Sequence, residues 1–177
     1  FSPLRSTETF LIDYDGNVVH TWPGEYFPGH AVYLLENGNL LRTGSLETSI
    51  FDAGGAGGIV QEIDWNGNVV WEFAYSSDQY LLHHDVEQLP NGNILMIAWE
   101  YKSSREAFAA GRNPNLMKDG ALWPDTIIEI DPATDQIVWE WHVWDHLVQD
   151  YDATKPNFGN PSEHPELIDL NYTSMNI

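Results

Sequence analysis

The chain has 177 residues, with 27 Asp plus Glu against 7 Lys plus Arg and a formal net charge of −20. That balance excludes a dedicated nucleic-acid binder, because phosphate affinity comes from Lys and Arg displacing counterions. A hydrophobic content of 42% and an aromatic content of 13% exclude a disordered acidic tail, and the absence of cysteine excludes disulfides, iron–sulfur clusters and a thiol nucleophile.

No apolar run approaches the roughly 20 residues that span a bilayer, so no membrane span is expected. The start, Phe1-Ser-Pro-Leu-Arg5, lacks an initiator Met and a charged stretch before an apolar one, and reads as the start of a processed product or a fragment. The length allows one domain with a core. High negative charge with few Lys suits a salty or extracellular setting.

In chain order, one hairpin motif occurs three times: Leu11 to Trp22 around Asp15-Gly16, Glu62 to Phe73 around Asn66-Gly67, and Glu129 to Trp141 around Asp131 to Asp135. Asp-Gly and Asn-Gly supply the positive φ angles of a tight turn, and the flanking β-branched and aromatic residues suit strands. A second hairpin follows the first two copies, His30 to Leu41 and His84 to Leu95, each opening on a His and closing on an Asn-Gly turn. The Asp13 to Asp64 interval is 51 residues and the Asp64 to Asp131 interval is 67.

Four strands per unit at this spacing predict an all-β fold, a β-propeller of four-stranded antiparallel blades. At roughly 45 residues per blade, the pattern gives about two complete blades, a leading half and a trailing half. A propeller must close to protect its edges, so residues 1–177 read as a partial propeller domain completed by further blades or by other copies of the chain. The longer interval holds an insertion over about 100–124, in which Ser103 and Glu106 have capping-box spacing and Gly111 stands as a stop, predicting a short helix. Gly54 to Gly58 reads as a flexible connector, and the segment 151–177 as a loop-rich tail.

If the second hairpin starts each blade, its first strand lines the channel and brings His30 and His84 to equivalent positions at one mouth; these are the catalytic candidates. In His83-His84-Asp85-Val86, strand alternation would point His84 away from His83 and Asp85, so a group that fixes the His84 tautomer is expected from elsewhere. The alternative is that these polar groups only satisfy backbone at a strand start. His83, Asp85 and Arg112 are candidate substrate-binding residues. Arg112 follows the inserted helix and either binds an anion or pairs with an acid.

His142 and His146 have the spacing of zinc ligands on a helix, but Trp139 to His142 reads as a strand end without an evident third ligand; no metal is assigned. The Asp13 to Asn17 segment lacks EF-hand spacing. No phosphate loop, dinucleotide glycine pattern or nucleophile elbow occurs, and no cofactor is expected. Trp22, Trp65, Trp71, Trp139, Trp141 and Trp144 fall where packing between blades is expected.

The run His83 to Leu95, followed by Asp125 to Asp131, Ile137 to Trp141, Asp145 to Asp150 and His164 to Asn171, resembles the aryl-sulfate sulfotransferase family over most of the chain. The resemblance implies a six-bladed propeller, usually exported to the periplasm or outside the cell. It implies transfer of a sulfuryl group from a phenolic sulfate ester to a phenolic acceptor through a sulfated histidine, without a nucleotide sulfate donor. His84 matches the family's first channel histidine. The family's His-x-Asn motif and second His-Asp motif would lie beyond Ile177. Two other readings are a non-catalytic propeller that binds a ligand or partner, and a metal-dependent hydrolase using His142 and His146.

Overall fold

The structure is a computed structural model that describes residues 1–117 and 120–172. Strands β1 (Thr9–Ile12) and β2 (Val18–Trp22) form a two-stranded antiparallel hairpin. Strands β3 (Pro28–Leu34), β4 (Leu40–Ser45), β5 (Gly58–Ile63) and β6 (Val69–Ala74) make a four-stranded antiparallel meander in that order. Strands β7 (Tyr80–Gln88), β8 (Ile94–Glu100), β11 (Asp125–Asp131) and β12 (Gln136–His142) repeat it. Between β8 and β11 lie β9 (Lys102–Ser103), helix α1 (Ser104–Ala109) and β10 (Ala121–Leu122). The chain is therefore all-β, with two four-stranded antiparallel sheets among the described residues.

The repeat is written into the turns by side-chain chemistry. Asp13 accepts the backbone N–H groups of Asp15 and Asn17 at 3.0 and 2.8 Å, and Asp64 does the same for Asn66 and Asn68 at 2.9 and 2.8 Å. Only the glycine of each pair takes positive φ, +84° at Gly16 and +87° at Gly67. These are therefore three-residue loops closed by a left-handed glycine, not two-residue turns. In the β3–β4 turn the amides of Asn37 and Asn39 donate to Glu62, and in the β7–β8 turn those of Asn91 and Asn93 donate to Glu129. Each turn is thus tied to the third strand of its own sheet.

Side-chain alternation places Ala31, Leu41 and Val60 of the first sheet against Leu82, Val86, Met96, Ile128 and Ile130 of the second. Burying each Leu, Val, Ile or Met of this set contributes about 1.5–3 kcal/mol, which fixes the sheets face to face. The leading hairpin docks in the same manner through Trp22, Leu40 and Ile63. Two indoles fasten successive units: Trp22 donates to the Asp64 carbonyl at 2.9 Å and Trp71 to the Asp135 carboxylate at 2.9 Å. Trp65 and Trp139, by contrast, are half exposed, while Trp99 is buried beside the site described below.

The inserted helix forms with its capping box, Ser103 and Glu106 each bonding the other's backbone N–H, and Gly111 ends it at φ +98°. The trailing half is not a hairpin. Strand β13 (Leu147–Val148) instead pairs in parallel with β14 (Ile168–Asp169), and β14 lies inside the segment expected to be loop. Residues 173–177 of that tail lie outside the described residues.

Candidate functional site

The first strands of the two sheets carry the same irregularity. In β3 the pairing jumps from Pro28–Gly44 to Val32–Arg42, and in β7 from Leu82–Ala98 to Val86–Met96. Four steps on one strand face two on its partner, so each strand holds two extra residues, and His30 and His84 sit at the centres of the two bulges. Among the described residues only three non-glycine residues have positive φ: His30 at +85°, His84 at +53° and Asp135 at +56°. Holding a non-glycine residue there costs of order 1–3 kcal/mol, and such strain concentrates at functional sites.

Neighbouring strand and loop groups stabilise the bulges. The Ala31 N–H donates to Thr43 Oγ1 at 3.0 Å beside His30. At the other bulge the His84 N–H donates to the Gly55 carbonyl at 2.9 Å and the Gly57 N–H to the Leu82 carbonyl at 3.0 Å. The glycine-rich stretch expected to be a flexible connector is thus a clamp laid along β7. A Cβ at Gly55 would stand 2.2–2.6 Å from three atoms of the His84 ring. Glycine is required there because backbone and imidazole meet at van der Waals limits.

The bulge also alters which way the side chains point. Strand alternation separates His83 from His84, yet their Nδ1 atoms are 2.8 Å apart, because left-handed backbone at His84 turns its ring back toward its neighbour. His83 is buried at 4% exposure and lies flat on Trp99, with centroids 4.1 Å apart and planes at 17°. Its Nε2 is 3.1 Å from the Asp125 carboxylate. His84 is exposed, with its ring centroid 6.1 Å from that of His30, also exposed. Burial, then the neighbouring His83 and His30, holds the His84 pKa below the ordinary value, with Asp125 and Asp85 opposing. The lowered pKa favours the neutral imidazole, able to accept a proton, and makes the protonated ring the readier proton donor.

The other sequence candidates lie in different settings. Asp85 accepts the Tyr33 hydroxyl at 2.7 Å, which links the first strands of the two sheets. That bond, with burial and the charges of Asp85 and Glu87, pushes the Tyr33 phenol up to about 12. Arg112 is buried and donates to the carbonyls of Leu170, Tyr172 and Leu116, tying the insertion to the C-terminal segment. Its two terminal nitrogens are thus occupied by backbone carbonyls and make no hydrogen bond to the histidines. His142 Nδ1 lies 2.8 Å from Glu100, and His146 stacks on Trp141 at 4.8 Å. Among the described residues no group of three or more His, Asp or Glu is placed to hold a metal ion.

A cleft of about 680 Å³ runs between the β3–β4 and β7–β8 turns, lined by Tyr33, Glu36, Glu87 and Pro90 among others. Neither His30 nor His84 lines it, so the histidine pair is an open surface and not the floor of that cleft. The sequence reading did not single out Trp99, Asp125 or Gly55. The His83-His84 doublet was the one local signal, since Asp125 reaches it across 42 residues.

The family model for arylsulfotransferase (ASST) matches residues 4–171, and the chain belongs to that family. No curated protein matches. Among solved structures, a protein of unknown function from Bacteroides caccae aligns at 14% identity and a TM-score of 0.46, over 78% of this chain and 43% of that one. The chain thus spans less than half the length of that structure. No helix among the described residues is long and apolar enough to cross a membrane.

Proposed function

We propose that the protein is part of a β-propeller sulfotransferase that moves a sulfuryl group from a phenolic sulfate ester to a phenolic acceptor through a histidine intermediate. In this reading the two four-stranded sheets are consecutive blades, β3 and β7 are their innermost strands, and further blades or other copies complete the ring, outside the cytoplasm. The observation that carries it is the pair of equivalent bulges presenting His30 and His84 side by side, in a chain of the arylsulfotransferase family.

In the first half-reaction the bond between sulfur and the donor's phenol oxygen breaks and a sulfur–nitrogen bond forms to a carrier histidine contributed elsewhere in the ring. Protonated His84 gives its proton to the departing phenolate. In the second half, neutral His84 takes the proton of the acceptor phenol as its oxygen bonds to sulfur and the carrier nitrogen regains its electron pair. Proton transfer of this kind is worth about 10²–10⁴-fold in rate. His30 and Asp85 flank the reacting group in this reading. A protein of charge −20 repels sulfate esters at long range, so attraction must be local.

The test is His84→Ala in the full-length protein, assayed for transfer from 4-nitrophenyl sulfate and from phenyl sulfate to a phenol. The expected result is a loss of about 10²-fold or more with phenyl sulfate and a smaller loss with 4-nitrophenyl sulfate, whose phenolate leaves without a proton. Normal transfer from both esters refutes the reading.

A further inference from the structure

We propose that Asp125 and His83 are positioning residues that lock His84 in the tautomer protonated at Nδ1, leaving Nε2 as the working nitrogen of the site. Only the use of that nitrogen rests on the sulfotransfer reading; the proton arrangement itself follows from three contacts.

A carboxylate has no hydrogen to give, so in the 3.1 Å contact the hydrogen belongs to His83 Nε2. A neutral imidazole carries one N–H, and the Nδ1 of His83 is then a bare lone pair. Two lone pairs, or two N–H groups, would repel at 2.8 Å, so the Nδ1 of His84 carries the hydrogen and donates it to His83. His84 Nε2 is left as the acceptor on an exposed ring beside His30. This is the reverse of the tautomer that predominates in free histidine.

The surroundings favour this arrangement over its rival. A charged His83 would carry hydrogen on both nitrogens and turn the second bond around. That rival places a full positive charge on a ring that is 4% exposed and packed flat on Trp99, which the neutral arrangement does not require. Stacking on Trp99 also keeps the His83 ring in one plane, so its two nitrogens point at fixed partners. The Gly55 carbonyl holds the backbone of His84 from the other side. When His84 receives a proton at Nε2, the new charge faces His83, with Asp125 behind it, through hydrogen bonds already made. No other proton has to move. The remaining charged or titratable groups that face His84 are His30, which opposes the charge, and Asp85, which favours it.

The experiment is a multiple-bond ¹H–¹⁵N correlation spectrum of the full chain labelled on histidine, at neutral pH, which reads the tautomer of each ring without turnover. The expected spectrum has His84 protonated at Nδ1 and His83 at Nε2. Asp125→Ala removes a side chain that is 42% exposed, and His83→Phe keeps a ring on Trp99. Either variant is expected to move His84 toward the Nε2-protonated form, and Asp125→Ala to lower kcat about tenfold or more with KM unchanged. Wild-type His84 protonated at Nε2, or a His84 tautomer unmoved by both variants, overturns the proposal. An Nδ1-protonated His84 in a full-length protein that transfers no sulfuryl group leaves this arrangement standing and removes the sulfotransfer reading instead.

Discussion

Replacing Gly55 with alanine tests the clamp that seats His84. Gly55 has φ +91°, and a methyl group there would stand 2.2, 2.3 and 2.6 Å from Cε1, Nε2 and Nδ1 of His84. Alanine in the left-handed region costs about 1–2 kcal/mol. The clash adds to this, because the ring cannot retreat without stretching its 2.8 Å contact with His83, nor the backbone without stretching the 2.9 Å bond from the His84 N–H. Losing one such bond costs about 1–2 kcal/mol more. The total is about 2–4 kcal/mol, or roughly 5–15 °C in Tm for a domain of this size. Thermal unfolding followed by circular dichroism measures it, with histidine NMR reporting displacement of the His84 ring. Gly54 supplies the control: its own Cβ would meet nothing within 4 Å, and Gly54→Ala is expected to change stability by less than about 0.5 kcal/mol. Equal effects of the two substitutions, with His84 resonances undisturbed, would refute the clamp.

Two further outcomes follow from the geometry. Arg112→Leu removes the hydrogen bonds to Leu170, Tyr172 and Leu116 and is expected to destabilise the C-terminal segment by about 2–4 kcal/mol, read as faster amide exchange at Leu170 and Tyr172. The His84 resonances should not move, and a large shift in them would show that Arg112 belongs to the histidine site after all. His30→Ala removes a neighbour that holds the His84 pKa down, so an NMR titration should show that pKa rising toward the ordinary value near 6.5. Because His84 binds its proton less readily folded than unfolded, stability falls as pH drops through the window just below 6.5, and the substitution shrinks that loss. A His84 pKa unchanged or lowered by the substitution would contradict the pairing of the two rings.

What was legible in the sequence was local. Asp13 and Asp64 close their turns with their own carboxylates within four residues, so the motif reads directly as hairpins, and two four-stranded meanders follow from counting them. Ser103 and Glu106 are similarly self-contained. The placing of His30 and His84 at matching strand positions was also visible, since both precede the same apolar run and Asn-Gly turn. What could not be read was anything set by the partner strand. The two extra residues in β7 show only when its register against β8 is known, and alternation therefore put His83 and His84 on opposite sides. Asp125 follows the insertion and meets His83 only because β11 pairs with β8. Gly54 to Gly58 read as slack chain because glycine serves flexible links and close approaches equally well. Arg112 gave no sign that its partners would be carbonyls up to 60 residues ahead.

The paired bulges also make the two histidines separable from the scaffold that displays them. Excising two residues from β3 or β7 would restore an unbroken ladder while leaving the turns, the indole fasteners and the buried apolar faces where they are. Presence or absence of the bulges is therefore a matter of strand length, independent of the apolar contacts that hold the sheets together.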